Sequence, residues 1–271
     1  MEDRVHLTIE NGVADVRLAR PGKLNALDPR MFEAIAEAGA RLKQNSSVRA
    51  VVLSGEGRGF CAGLDVERIS AITKGESLLP FADLTKRTHG IANFAQHVVW
   101  QWRELPVPVI AAVHGFAFGG GFQLALGADI RFAAPRTRFS ILEAKWGLVP
   151  DMAGTHLMRH LAREDIVREL TYTARVFSAE EALGYGFVTR LIENPHAAAL
   201  ATARDIASTS PDAIRAAKRL LNLVSLTDAE TLLEAETAEQ HRLLGSPNQV
   251  EAVRANLESR SAQFADAAPV P

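Results

Sequence analysis

From Leu105 to Ala128 the chain carries no charged side chain. A stretch of that length can cross a bilayer as a helix, so its composition decides the fold class. It holds Pro106, Pro108, His114, Gln123 and five glycines, three of them consecutive. Such breakers fit a buried strand, a turn and a helix start far better than a spanning helix. Val107 to Val113 is the strand, and Ala50-Val51-Val52-Leu53, ending at Ser54-Gly55, is a second run of the same kind. Continuous apolar runs mark strands buried on both faces, as in parallel sheets covered by helices. The expectation is a soluble α/β protein of the cytoplasm.

The flanking segments agree. Val5 to Ile9 and Val13 to Leu18 alternate around Asn11-Gly12, a pair suited to a two-residue hairpin turn. Asp28-Pro29 supplies an N-cap and a first-turn proline for a helix with Phe32, Ile35, Gly39 and Leu42 on one face. Past residue 155, helix starts recur. Ser178-Ala179-Glu180-Glu181, Thr227-Asp228-Ala229-Glu230 and Ser246-Pro247-Asn248-Gln249 read as capping boxes, and Ser210-Pro211 as a further start. We expect an α/β body over residues 1–200 that carries the site, and a helical region over 201–271. The Ala/Pro-rich tail after Phe264 should fray.

The 271 residues bear a net charge of −2 and one cysteine. That balance leaves no basic stripe for nucleic acid, and one cysteine excludes an intramolecular disulfide. The N-terminus, Met1-Glu2-Asp3-Arg4, lacks the apolar stretch of a signal peptide.

Three segments could carry chemistry. Phe60-Cys61-Ala62-Gly63-Leu64-Asp65 follows a glycine-rich turn after a buried strand, at the sheet end where α/β folds bind ligands. Taken alone, it reads more readily as an ordinary strand-to-helix loop. His114 to Gln123 contains Gly119-Gly120-Gly121 at a helix start, where free N–H groups and the helix dipole favour negative charge. It lacks dinucleotide and P-loop spacings, so the anion it serves would be an oxyanion. Close packing is the plain alternative. The third, Phe139 to Thr155, sets Glu143 and Asp151 among apolar residues, surroundings that raise a carboxyl toward a working base. Pairing of Glu143 with Lys145 and capping by Asp151 of a helix near Thr155 are the structural alternatives. Cys61 reads as a small buried hydrophobe, His114 as structural, and His156 with His160 as a spacing-matched pair lacking a third metal ligand. Arg215 to Arg219, the most basic helical stretch, is too sparse for an RNA site.

In this order the segments resemble the crotonase superfamily, the enoyl-CoA hydratase/isomerase family. The likeness runs from Arg20-Pro21-Gly22-Lys23-Leu24-Asn25-Ala26-Leu27 to Glu258-Ser259-Arg260. It includes Ala111-Ala112-Val113-His114-Gly115 and Ala179-Glu180-Glu181-Ala182-Leu183-Gly184. The resemblance implies an α/β spiral of ββα units with a helical trimerisation region, a trimer or hexamer, and an acyl-CoA thioester as substrate. It implies no cofactor beyond the coenzyme A of the substrate, no metal, and no nucleic-acid or membrane partner. By motif position an oxyanion hole falls on the N–H groups of Leu64 and Gly120. Ala62, Gly63, Asp65, Arg20 and Lys23 fall where the family meets the CoA moiety. Hydratases of the family carry one glutamate at the position of Gln123 and another at that of Glu143; here only Glu143 remains. Dienoyl-CoA isomerases carry acids at the positions of Glu143 and Asp151, and Thr171 to Arg175 also resembles them. That group places aspartate where Gln123 stands. The resemblance therefore favours double-bond isomerisation through an enolate, with Glu143 and Asp151 as acid/base groups and Gln123 orienting. Hydration and a catalytically weak acyl-CoA binder are the alternatives. Residues 69–99, with Leu78, Leu79, Phe81 and Phe94, together with Trp100, are expected around the acyl group.

Overall fold

A computed structural model describes residues 3–72, 74–75 and 83–267; Leu78, Leu79 and Phe81 lie outside them. The strands are β1 (Val5–Glu10), β2 (Val13–Leu18), β3 (Ala50–Gly55), β4 (Val109–Val113), β5 (Phe116–Phe118), β6 (Ile130–Ala133), β7 (Arg138–Ser140), β8 (Phe177–Ser178) and β9 (Arg190–Leu191). The helices are α1 (Pro29–Gln44), α2 (Val66–Ile72), α3 (Phe94–Glu104), α4 (Gly120–Leu126), α5 (Gly154–Met158), α6 (Glu164–Thr173), α7 (Ala179–Tyr185), α8 (Pro195–Ala207), α9 (Pro211–Leu223), α10 (Ala229–Leu243) and α11 (Pro247–Leu257).

A large sheet runs β1-β2-β3-β4-β6-β9, antiparallel only at β1-β2, and a small sheet runs β5-β7-β8. The β1-β2 hairpin turns on Asn11 and Gly12, both with positive φ, as a type I′ turn requires. The apolar runs behave as expected for doubly covered strands. Val51, Leu53, Val109, Ala111 and Val113 face one core, while Ala50, Val52, Ile110 and Ala112 face a second one built with Ala199, Ala203 and Ala207 of α8. Residue 200, where the helical region is expected to begin, thus sits inside a helix packed on the sheet.

The chain alternates between the sheets, β4 to β5 and then β6 to β7, each pair leading into a helical turn. One turn earlier, β3 leads to Cys61, which bridges to Ala117 in the small sheet, and Ala117 in turn pairs with Phe139. Cys61, Ala117 and Phe139 therefore form one row. Three residues beyond each member lie Leu64, Gly120 and Leu142, followed by Glu143. Three turns of the spiral thereby deliver the three sequence motifs to one place.

Helix caps explain most boundaries. Asp28 Oδ1 accepts the Met31 N–H at 2.8 Å, and Ser178 with Glu181 makes both bonds of a capping box. At α10 the cap is Asp228, accepting from Thr231 N, rather than Thr227, because the aspartate reaches the third residue of the helix. At α11 Ser246 caps, but Gln249 turns back to Gly245 N, not to Ser246 N. The tail after Phe264 is fastened as far as the described residues go. Arg49 bonds Phe264 O, Asn248 exchanges two bonds with Ala265, and Ala267 is buried. Among the described residues no helix is long and apolar enough to cross a membrane.

Candidate active site

The ends of the three spiral turns enclose a cavity of about 390 Å3. Its lining includes Ala62, Gly63, Leu64, Gly119, Gly120, Gln123, Glu143 and Asp151, so the three motifs meet as expected. The wall is apolar: Phe32 from α1, Ala95 from α3, and Leu142, Trp146, Leu148, Val149 and Met152 from the third motif.

Gly63 has φ +85°, and a Cβ there would lie 2.5 Å from Phe118 O and 3.5 Å from Gly120 N. Only glycine lets the first motif approach the second so closely. Leu27 N–H donates to Gly63 O and Asp65 N–H to Leu27 O, which fixes the peptide at Leu64 from both sides. Gly119 also has positive φ and stands as the N-cap of α4, which leaves Gly120 as the first residue of the helix. Among the described residues neither the Leu64 N–H nor the Gly120 N–H meets an acceptor. Two unclaimed backbone donors thus stand on the cavity wall.

Glu143 is 8% exposed, in a short 3-10 turn over Glu143–Trp146. Its Oε1 accepts a 2.6 Å hydrogen bond from Gln123 Nε2, and Oε2 is buried with no partner among the described residues. Gln123 is 1% exposed, and its Oε1 accepts from Met152 N at 2.8 Å and Gly154 N at 3.0 Å. Those two donors determine which end of the amide points at Glu143. Burial raises the Glu143 carboxyl above the ordinary range; the Asp151 charge adds to the rise and the Gln123 bond opposes it. Asp151 reaches the cavity from a solvent-exposed position, and desolvation of its carboxyl raises it too. Both acids are displaced in the direction that strengthens a base.

The structural alternatives for these acids are not realised. Glu143 bonds Gln123 rather than Lys145, and α5 begins after Ala153, with positive φ and no side-chain cap. Cys61 is buried, its Sγ donates to Asn25 O, and burial pushes the thiol up to about 12, so it is no nucleophile. His114 Nε2 is held at Gly57 O, and Arg215, Lys218 and Arg219 all bond within the fold.

Three residues expected near the substrate lie off the cavity lining. Arg20 pairs with Asp65 at 2.5 Å and approaches Asp28 at 3.5 Å; the other oxygen of Asp65 accepts the Glu67 N–H at the start of α2. Lys23 pairs with Glu67 on the surface. Opposite charges within reach have claimed these groups. Trp100 also stays off the lining, donating to Glu104 and standing edge-on to His156, while Phe94 packs beside His89. Leu84, Ile69 and Ala95 take the wall positions instead.

The sequence profile of the enoyl-CoA hydratase/isomerase family matches residues 8–267. A 1,2-epoxyphenylacetyl-CoA isomerase from Escherichia coli (strain K12) is 32% identical over 258 residues, covering 94% of this chain and 96% of its own. A carnitinyl-CoA dehydratase from Proteus mirabilis (strain HI4320) is 33% identical over 271 residues, covering 97% and 99%. The crystal structure of an enoyl-CoA hydratase from Polaromonas sp. JS666 superposes with a TM-score of 0.86 at 28% identity, over 96% of this chain and 99% of that one. The row of three spiral turns and the family match agree: this chain is a member of the enoyl-CoA hydratase/isomerase family, with the crotonase fold.

Proposed function

We propose that the protein isomerises a double bond in an unsaturated acyl-CoA thioester, of the enoyl-CoA or dienoyl-CoA isomerase type. The observation that carries this reading is the locked Gln123–Glu143 pair. An amide held with its N–H toward Glu143 cannot take a proton from water, so one buried carboxylate does the proton work, as isomerisation needs.

In the proposed mechanism the thioester oxygen sits between the N–H groups of Leu64 and Gly120. Glu143 Oε2, the oxygen left without a partner, removes the α-proton. The two aimed donors stabilise the enolate oxygen where charge develops, each worth about 3–4 kcal/mol in comparable sites. For a 3-enoyl thioester the proton returns at the γ carbon from Glu143. For a 3,5-dienoyl thioester protonated Asp151, across the acyl chain, delivers one at the ε carbon, and the proton taken up by Glu143 is passed on to solvent. Ala62 and Gly63 present backbone to the thioester arm. The thioester itself acidifies the α-carbon, so the proposed reaction calls for no metal or redox cofactor.

A homo-oligomer, trimeric or hexameric, belongs to the same proposal. Leu221 in the last turn of α9, Val224 and Leu226 just after it, Leu233 and Leu244 on or beside α10, and Leu257 at the end of α11 are all exposed, which supports burial against further copies. Cytoplasmic placement is likewise proposed, in keeping with the absence of a membrane-spanning helix among the described residues.

One finding favours the second reading, hydration or its reverse: relatives over 83% or more of the chain are named carnitinyl-CoA dehydratase. A screen of 2-enoyl-, 3-enoyl- and 3,5-dienoyl-CoA thioesters, followed by ultraviolet absorbance, separates the two. Isomerisation predicts fastest turnover of a 3-enoyl or 3,5-dienoyl substrate. Fastest loss of the 2-enoyl chromophore by hydration would overturn it.

A further inference from the structure

A second cavity, of about 160 Å3, lies where α3, β6 and α5 meet; Arg103, Asp129, Arg131, His156, His160 and Ser225 contribute to its lining. Its charges do not balance. Arg131 is 7% exposed and donates to Phe187 O and Ala128 O, but among the described residues no carboxylate pairs with it. Arg103 has no side-chain hydrogen bond or ion pair among the described residues. Asp129 is already engaged: one oxygen accepts from Lys218 Nζ at 2.7 Å and Val109 N at 2.8 Å. Arg159 adds a further cation, bonding His160 Nε2 and Ser225 O. Four cations therefore surround one carboxylate, in a place where burial weakens screening by water.

The neighbours feel this excess. Burial first, and the Arg103 charge with it, hold Arg131 down at about 10. They lower Lys218, His156 and His160 as well, with Arg159 adding to the effect on both histidines. A buried guanidinium without a counter-ion is unfavourable, and a neutral imidazole N–H beside it is one more donor.

We propose that this cavity binds a small tetrahedral oxyanion, inorganic phosphate or sulfate, between Arg103 and Arg131. A water's share of liquid volume is about 30 Å3, so the cavity has room for such an anion with its bridging water. The site adjoins the catalytic cavity through α5. Gly154 at the start of that helix donates to the Gln123 side-chain oxygen, and His156, two residues later, lines the anion pocket. A bound anion would brace the element that orients Gln123.

The test is thermal unfolding and titration calorimetry of the full-length protein in phosphate, sulfate and chloride at matched pH and ionic strength. Phosphate and sulfate also stabilise proteins by exclusion from their surface, but that effect grows steadily at high concentration. A site instead gives a rise in Tm that saturates in the millimolar range, with a matching heat of binding. Arg103→Met should remove the saturable part while leaving the far-ultraviolet circular dichroism and basal turnover unchanged. Arg103→Lys should retain it with weaker affinity, which covers the case in which the methionine variant folds poorly. Absence of saturable binding to the unmodified protein overturns the proposal. So does a result in which Arg103→Met changes only the sedimentation behaviour, since a carboxylate from a second copy would then be the occupant.

Discussion

Gln123 Nε2 donates to Glu143 Oε1 at 2.6 Å, and the amide cannot turn over, because Met152 N and Gly154 N both donate to its oxygen. A flip would set three N–H donors against one another and leave two carboxylate and carbonyl oxygens facing. Glu143 therefore works with one oxygen engaged and one unclaimed.

Glu143→Gln should lower isomerisation about 10²–10⁴-fold, the usual contribution of a positioned base, in steady-state assays on the best substrate. In the unmodified protein the rate should rise with pH through the elevated Glu143 pKa, since only the carboxylate accepts a proton. Stability moves the other way. Between the unfolded value, about 4.3, and the higher folded one, the folded chain holds a proton that the unfolded chain has released. Stability is therefore lost as pH rises through that window. The glutamine variant should match the parent's Tm near pH 4 and exceed it at pH 8.

Gln123→Glu would put a second carboxylate within 2.6 Å of Glu143 Oε1. Met152 and Gly154 can still donate to one of its oxygens, so the other must share a proton with Glu143. The expected outcome is a gain of 2-enoyl-CoA hydration, from restoring the missing acid, with the pH–rate profile displaced upward and Tm lowered at pH 8. Unchanged hydration in a calibrated absorbance assay would mean that the cleft cannot seat a water there.

These expectations rest on features unequally visible in the amino-acid order. The three motifs were legible because glycines and a helix start leave local marks at Gly63, Gly119 and the acids around Trp146. Their convergence was not, for it depends on the register that aligns Cys61, Ala117 and Phe139 across the small sheet. The lock on Gln123 uses backbone N–H groups, which any residue type supplies. The pairing of Arg20 with Asp65, 45 residues later, is not legible, because nothing local to either residue announces the other. The start of α3 went unread although Asn93 and Gln96 form a full capping box, since the run before it gave no periodic pattern to anchor.

Asp151→Asn should separate the two isomerisations. On a 3,5-dienoyl-CoA, where a second acid/base group completes the proton transfer, turnover should fall about 10²-fold or more. On a 3-enoyl-CoA, served by Glu143 alone, the loss should be less than about 10-fold, because removing the Asp151 charge mainly lowers the elevated Glu143 pKa slightly. Equal losses on both substrates, measured by kcat, would place Asp151 in a shared step instead.

Arg20 should act through Leu64 rather than on the substrate. Its guanidinium joins Asp65, Ala26 O and Asp28, the last of which caps α1 and also pairs with Arg4. Asp65 and Leu27 together hold the Gly63-Leu64 peptide. Arg20→Met leaves a buried carboxylate at Asp65 without its cation and should loosen that peptide. If the Leu64 N–H serves the enolate oxygen, kcat should fall by about 10-fold or more while KM stays within about 2-fold, since an interaction realised mainly in the transition state is what weakens. The infrared carbonyl stretch of a bound thioester should move back toward its frequency in water. Arg20→Lys, which keeps the ion pair but not the reach to both carboxylates, should restore part of kcat and part of that shift. A rise in KM alone, with kcat and the carbonyl frequency unmoved, would instead return Arg20 to the CoA-binding surface.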